Sequence, residues 1–289
     1  MALPAVIYFF INNYIPMGGL ILAFEHYTVS GGIFGSKKVG LSNFEFLFKS
    51  SDAFIMTRNT ILYNLTFIVL GTCFAILVAY FLHELSRDMS RKVYQTVILF
   101  PSLLSIIIVS YLTNSLLAGD TGFVNTHILA PLGFESVSFY SEQKWWPFIL
   151  VFVHLWQITG TNCILYLANM SAIDPGLYEA ASLDGAGRWQ SFFRITIPCL
   201  TPTIITLTIL AVGKIFNSDF GLFYQVPMNS GAIMDVTQTI DTYVYRGLMN
   251  TANMGMSAAA CFYQSIVGFC LVIVTNSLVR KISKENAIF

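Results

Sequence analysis

Apolar residues in this chain gather into runs about 20 residues long, separated by shorter polar stretches. A helix of about that length crosses a hydrocarbon core of about 30 Å. The runs predict six membrane-crossing helices, roughly 3–24, 60–82, 93–117, 147–169, 199–221 and 258–279. The third and fifth carry Pro101 and Pro202 near their starts, and the fifth ends in polar residues. Such interruptions are tolerated where backbone faces protein or a water-filled cavity rather than lipid. The expected fold class is an all-α polytopic membrane protein.

Composition agrees. Of 289 residues 55% are hydrophobic and only 10% charged, with a mean hydropathy of +0.68, whereas a soluble domain is about a quarter charged. Net charge is zero, so no basic field for nucleic acid is present. Cys73, Cys163, Cys199, Cys261 and Cys270 fall mostly inside apolar runs without CxxC spacing. They read as small core residues rather than disulfides or metal ligands. The first apolar run lacks the basic flank and cleavage site of a signal peptide.

Lys and Arg density sets the orientation. The short loop 83–92 holds Arg87, Arg91 and Lys92; loop 170–198 holds Arg188 and Arg194; the tail holds Arg280, Lys281 and Lys284. The opposite loops, about twice as long in total, hold Lys37, Lys38, Lys49, Arg58, Lys144 and Arg246. Density places loop 170–198 and the carboxyl end in the cytoplasm, with Lys37 and Lys38 dissenting. Trp145 and Trp146 read as an interfacial anchor. The outer segment from Phe223 to Met256 carries a turn signal at Pro227, Asn229, Ser230 and Gly231. It reads as a docking or capping segment on that side of the membrane, or as a plain connection.

The loop between the fourth and fifth runs is polar and helix-forming. Asp174-Pro175 makes a good helix start, an acidic N-cap followed by proline at the first helical position. GLYEAASLD then brings Leu177, Ala180 and Ala181 to one side. Gly185 and Gly187 are expected to break the helix, and a second short helix through Trp189, Phe192 and Phe193 leads to Pro198. The pattern is Glu179-Ala180-Ala181, three residues including Asp184, Gly185, nine residues, then Ile195-Thr196-Ile197-Pro198. An ordinary amphipathic interfacial helix is the plain alternative.

That spacing resembles the EAA loop of the permease subunits of binding-protein-dependent ABC importers. The resemblance extends to LPAVIYFFINNYIPMGGLILAF at the start, IFNSDFGLFYQVPMNSGA at 215–232, IDTYVYRGL, and MSAAACFYQSIVGFCLVIVTN. These are similar to a carbohydrate branch of the maltose-type, MetI-like superfamily, whose cargoes include aldouronates or polysaccharide fragments. The resemblance implies a type I importer fold in a bacterial plasma membrane, multi-pass. It implies a second permease to complete the pathway, separate ATPase subunits that bind ATP and magnesium, and an extracellular solute-binding protein delivering an oligosaccharide. It divides the chain into a first helix with its outer loop (1–55), a transmembrane core (56–280) and a cytoplasmic tail (281–289). Members usually carry a short cytoplasmic tail before the first span, so the amino end reads as truncated or mis-started. Glu179, Ala180, Ala181, Asp184, Gly185, Ile195 and Pro198 become the expected ATPase-coupling positions, with Glu179 either pairing with a basic partner residue or holding the loop's own backbone.

What is missing points the same way. No G-x-x-x-x-G-K-[ST] loop is present, GSKKVG at 35–40 lacking the spacing, so no cofactor is expected on this chain. HExxH and GxSxG motifs are absent too, so the chain does not read as an enzyme. A sugar pathway needs hydroxyl-binding groups and flat aromatic faces. Candidates are His154, Trp156, Gln157 and Asn162 in the fourth segment, Lys214, Asn217 and Asp219 in the fifth, and Tyr263 and Gln264 in the sixth. Polar residues also act as interhelical glue, as Tyr63 or Asn64 could. Lys214 and Asp219 sit too far round an ideal helix to pair. An ion-driven transporter would want inverted repeats and intramembrane carboxylates, of which Asp219 alone is a candidate. A permease of the same class for a different solute remains open.

Overall fold

A computed structural model describes residues 3–85, 88–250 and 253–282. Arg87, Lys284 and most of the expected tail lie outside the described residues. Among those described, five helical runs are long and apolar enough to cross a membrane: Leu3–Phe24, Ser51–His83, Gln143–Ser171, Arg188–Val212 and Met254–Lys281. A sixth crossing is a broken pair, Met89–Leu103 and Ile106–Leu117, bent by 93°.

The bend falls at the interruption expected from Pro101 in the run 93–117, and it divides that run into two helices. Pro101 lacks an N–H and fixes φ, so the i to i−4 ladder cannot continue through it. Phe100–Leu103 tightens to a 3₁₀ turn and Leu104 is extended, with φ −77° and ψ 134°. Ser105 then caps a new helix by accepting from the N–H of Ile107. The exposed carbonyl of Leu104 is met by Gln157 of the fourth span, 3.2 Å away.

The fifth span also departs from the expected 199–221. Its helical run starts earlier, at Arg188, and stops at Val212. A π-turn over Phe192–Thr196 leads into Pro198 at the start of the helix Ile197–Val212, and Pro202 stays inside that helix. Past Gly213 the chain is irregular to residue 219, so Lys214, Asn217 and Asp219 lie beyond the helix. The second span begins nine residues earlier than its apolar run, at Ser51 capped by Ser50. Its polar first turns hold the outer segment: Asn59 donates to the carbonyls of Asp235 and Gln238, and Tyr63 to that of Val236 at 2.8 Å.

The second and fourth spans run parallel and form the spine. Near one end Tyr63 and Phe67 pack with Trp146, Leu150 and Val153. Near the other, Ala75, Ile76 and Ala79 pack with Cys163, Tyr166, Leu167 and Met170. Gly160 lets the fourth span approach the third, since a Cβ there would overlap the carbonyl of Ile98. Trp146 is fully buried and donates to Phe139 O at 2.7 Å. It is a core residue, because its indole N–H found a partner inside, and only Trp145 is part-exposed as an anchor would be. The first span stands apart and packs through its last turns, where Phe24 meets Phe262 and Phe44 at 5.3 and 5.4 Å. In the outer segment the turn is built by positive φ at Met228 and Asn229 rather than by Gly231.

Candidate functional site

Asp174 caps the loop's first helix, Pro175–Leu183, accepting from Gly176 N at 2.9 Å. The helix closes on a Schellman turn: Ala186 N–H reaches Ala181 O and Gly185 N–H reaches Ser182 O, with Gly185 at φ +80°. Gly187 is extended, φ −74°, so it needs no glycine. The stop is therefore Gly185 alone, and Asp184 is the C-cap before it. Gly187 then caps a four-residue helix, Arg188–Ser191, that runs directly into the fifth span.

The loop is held at its roots and free along its length. Tyr178 OH and Thr196 Oγ1 share a 2.9 Å hydrogen bond, and burial pushes the Tyr178 phenol above its ordinary value. Tyr80 of the second span donates to Arg188 O and packs on Phe192 at 4.6 Å. Arg188 lies 3.5 Å from Glu84, an exposed pair worth little by itself. Glu179 and Ala180 are exposed and Ala181 half-buried; Leu183 is 90% exposed. The Glu179 side chain bonds no loop backbone among the described residues. In the crook between the two helices a cavity of about 200 Å³ is lined by Ala181, Asp184, Ala186, Gln190, Arg194 and Ile195, among others.

A second cavity, about 290 Å³, opens between the second, fourth and fifth spans. Its walls bring together His154, Asn162, Lys214 and Asn217 from the sequence candidates, with Asn64, Phe67, Thr72 and Tyr166. Residues 64–72 are the middle of the Ser51–His83 helix, so the cavity sits near mid-bilayer. His154 stacks on Phe67 with ring centroids 3.7 Å apart. Asn64 donates to Ile215 O and Asn217 O at 2.9 and 3.1 Å, pinning the irregular wall that presents Lys214.

The remaining candidates stand elsewhere. Trp156 is outside this cavity and part-exposed, and Gln157 serves the break at Leu104. Asp219 accepts from Leu222 N at 3.1 Å, capping the next helical turn. Tyr263 packs edge-on against Phe216. Gln264 is buried, donating to Phe216 O and to Asp241, whose carboxylate also takes the N–H and hydroxyl of Ser218. Phe67, Thr72 and Tyr166 gave no sequence signal of their own, because an aromatic or threonine in an apolar run reads equally as core.

The family described as "Binding-protein-dependent transport system inner membrane component" matches residues 71–284. The "Polygalacturonan/rhamnogalacturonan transport system permease protein YteP" of Bacillus subtilis is 33% identical over 99% of this chain and 88% of its own length. The "Arabinooligosaccharides transport system permease protein AraP" of Halalkalibacterium halodurans is 27% identical over 89% of this chain and 79% of its own. A chain of a bacterial alginate ABC transporter, solved in complex with an alginate pentasaccharide-bound periplasmic protein, superposes with a TM-score of 0.88 at 32% identity, covering 98% of this chain and 94% of that one. The helical bundle, the capped loop before its fifth span and this whole-length similarity together place the chain in the family of binding-protein-dependent transport system inner membrane components.

Proposed function

We propose that this chain is one of two permease subunits of an ATP-driven importer in a bacterial plasma membrane. With a second permease it forms the pathway for oligosaccharides handed over by an extracellular solute-binding protein. Nucleotide and magnesium belong to separate ATPase subunits, and this chain performs no chemistry.

The carrying observation is a continuous helical run. Arg188–Val212 is 25 residues long, roughly 37 Å at 1.5 Å per residue. One end is the elbow of the exposed loop, the other the wall that presents Lys214. A push on the loop therefore moves the cavity wall, because a helix transmits displacement along its axis. Glu179, Ala180, Ala181 and Leu183 present a small, partly apolar face to the ATPase. Asp184 and Gly185 fix the elbow angle, and Ile195 and Pro198 lie at the root of the span. Closing of the ATPases on ATP draws two such loops together and reorients the spans, exposing the cavity to alternate sides.

The test is Glu179→Lys and Leu183→Asp in the assembled complex. Both variants are expected to retain fold and membrane insertion but lose ATP-dependent oligosaccharide uptake and ATPase co-purification. Uptake at the unaltered rate by both, at equal abundance, removes the coupling role.

A further inference from the structure

We infer that Glu25 anchors a docking pocket on the outer face, one that takes an arginine side chain from the extracellular solute-binding protein. This rests on the import reading above and gives that partner a point of attachment in the first outer loop.

The first span ends at Phe24 and passes into a two-stranded hairpin in which Glu25 pairs with Lys38. Glu25 is 1% exposed, and its carboxylate Oε2 is buried without a hydrogen-bond partner. No ion pair reaches it among the described residues, and Lys38, across the ladder, is exposed. A buried carboxylate is costly when no counter-charge meets it. A cation from outside the chain therefore gains more here than at any solvated surface acid.

Glu25 forms the floor of a cavity of about 470 Å³ between the hairpin and the start of the sixth span. Half-buried Tyr27, Asn43 and Phe46 make its walls, and exposed Ser42 and Asn253 its rim. The amide N–H groups of Asn43 go to Leu22 O, Ala23 O and Glu25 O, which leaves its oxygen for an incoming donor. A guanidinium brings five N–H groups and no acceptor, and its flat face stacks on a ring such as that of Tyr27. A metal ion fits this lining less well. No three His, Cys, Asp or Glu gather among the described residues, and the space far exceeds one coordinated ion, a water taking only about 30 Å³.

The hairpin also presents a surface for protein. It lies beyond the end of the first span, on the face opposite loop 170–198, and its tip exposes Val29 at 88% and Phe34 at 81%. Large apolar side chains clustered outside a span mark a contact site, and a desolvated charge among them is where an interface concentrates its binding energy. Gly255 lies so close to Asn43 that a Cβ would overlap its amide. A protein seated on the hairpin therefore bears on the sixth span, whose Gln264 holds Phe216 O in the wall of the mid-bilayer cavity.

The test titrates the solute-binding protein onto the whole transporter in nanodiscs. Glu25→Gln should weaken docking at least about tenfold, with basal ATP hydrolysis and complex assembly unchanged. The same variant should unfold at the parent's temperature or above, because it removes a buried charge that has no partner in the chain. One Arg→Ala variant of the solute-binding protein should weaken docking on the parent by a similar factor and cause no further loss on Glu25→Gln. Parent-like docking by Glu25→Gln overturns the inference and leaves the import reading standing. Clearly lower thermal stability of that variant does the same, since Glu25 would then be paired within the transporter, as does docking that EDTA abolishes and calcium restores. A parent complex that binds no solute-binding protein and takes up no oligosaccharide overturns both readings.

Discussion

Asn64 on the second span donates its side-chain amide to the backbone carbonyl of Ile215, 2.9 Å away, where the fifth span has stopped being a helix. A carbonyl released from a helix inside a membrane has no water to turn to. The same amide also reaches Asn217 O, and Gln264 of the sixth span donates to Phe216 O between them, so two side chains hold the irregular wall of the cavity. Asn64→Leu strands both carbonyls at a cost of about 1–3 kcal/mol each. The variant is expected to unfold at lower temperature in detergent and to lose uptake, whereas Asn64→Gln should recover part of the stability. Unchanged thermal unfolding of the leucine variant would dismiss this role.

Gly185 carries φ +80° at the elbow of the loop. A left-handed backbone costs a side-chain-bearing residue about 1–2 kcal/mol, least for asparagine. Gly185→Val should therefore distort the elbow and abolish uptake, and Gly185→Asn should keep most of it. Circular dichroism is expected to register no change in helix content for either. Equal transport by the two variants would mean the elbow angle does not matter.

Tyr178 latches the loop to Thr196, a fully buried residue at the root of the fifth span. Tyr178→Phe removes one hydrogen bond, worth about 0.5–1.5 kcal/mol, and keeps the ring. The expected effect is a looser lever: solute moved per ATP falls while basal hydrolysis holds. Burial raises the phenol's pKa above its ordinary 10.0, so the folded state holds the proton more tightly than the unfolded one. The stability linked to the buried, protonated phenol is then fully present below pH 10 and lost as pH rises through the higher folded value. Coupling measured from pH 6 to 9 should show no titration from this residue.

Gly160 faces the carbonyl of Ile98 so closely that a Cβ would overlap it. Neither partner is a flexible side chain, so the helices themselves must part. Gly160→Val should cut the yield of monodisperse protein on size-exclusion chromatography severalfold, with Gly160→Ala intermediate. A parent-like elution profile for valine would show that the two spans are not locked together there.

Much of this molecule was legible in its residues, and the reasons are physical. Water-to-lipid transfer is a local property of a 20-residue window, so the six crossings, the bent pair counted as one, could be counted without tertiary knowledge. Asp174-Pro175 and Gly185 act through backbone geometry within a few residues, so the loop helix and its stop were readable as well. Gly187 misled because glycine composition does not say which residue takes positive φ. Trp146 misled because a tryptophan beside a span suits an interface and a core equally, and only Phe139 O decided between them.

Where helices break or unwind inside the membrane was a different matter. Pro101 signalled an interruption, but the 93° turn also needed Gln157 to receive Leu104. The fifth span's end at Val212 depended on amides delivered from two other spans. The chain by itself determined its solvent, its number of crossings and its capped loop helix, since those follow from short-range hydropathy and capping. Tertiary structure alone decided which polar side chains hold backbone and which line the cavity, because a buried amide's role is set by the distant carbonyl it finds.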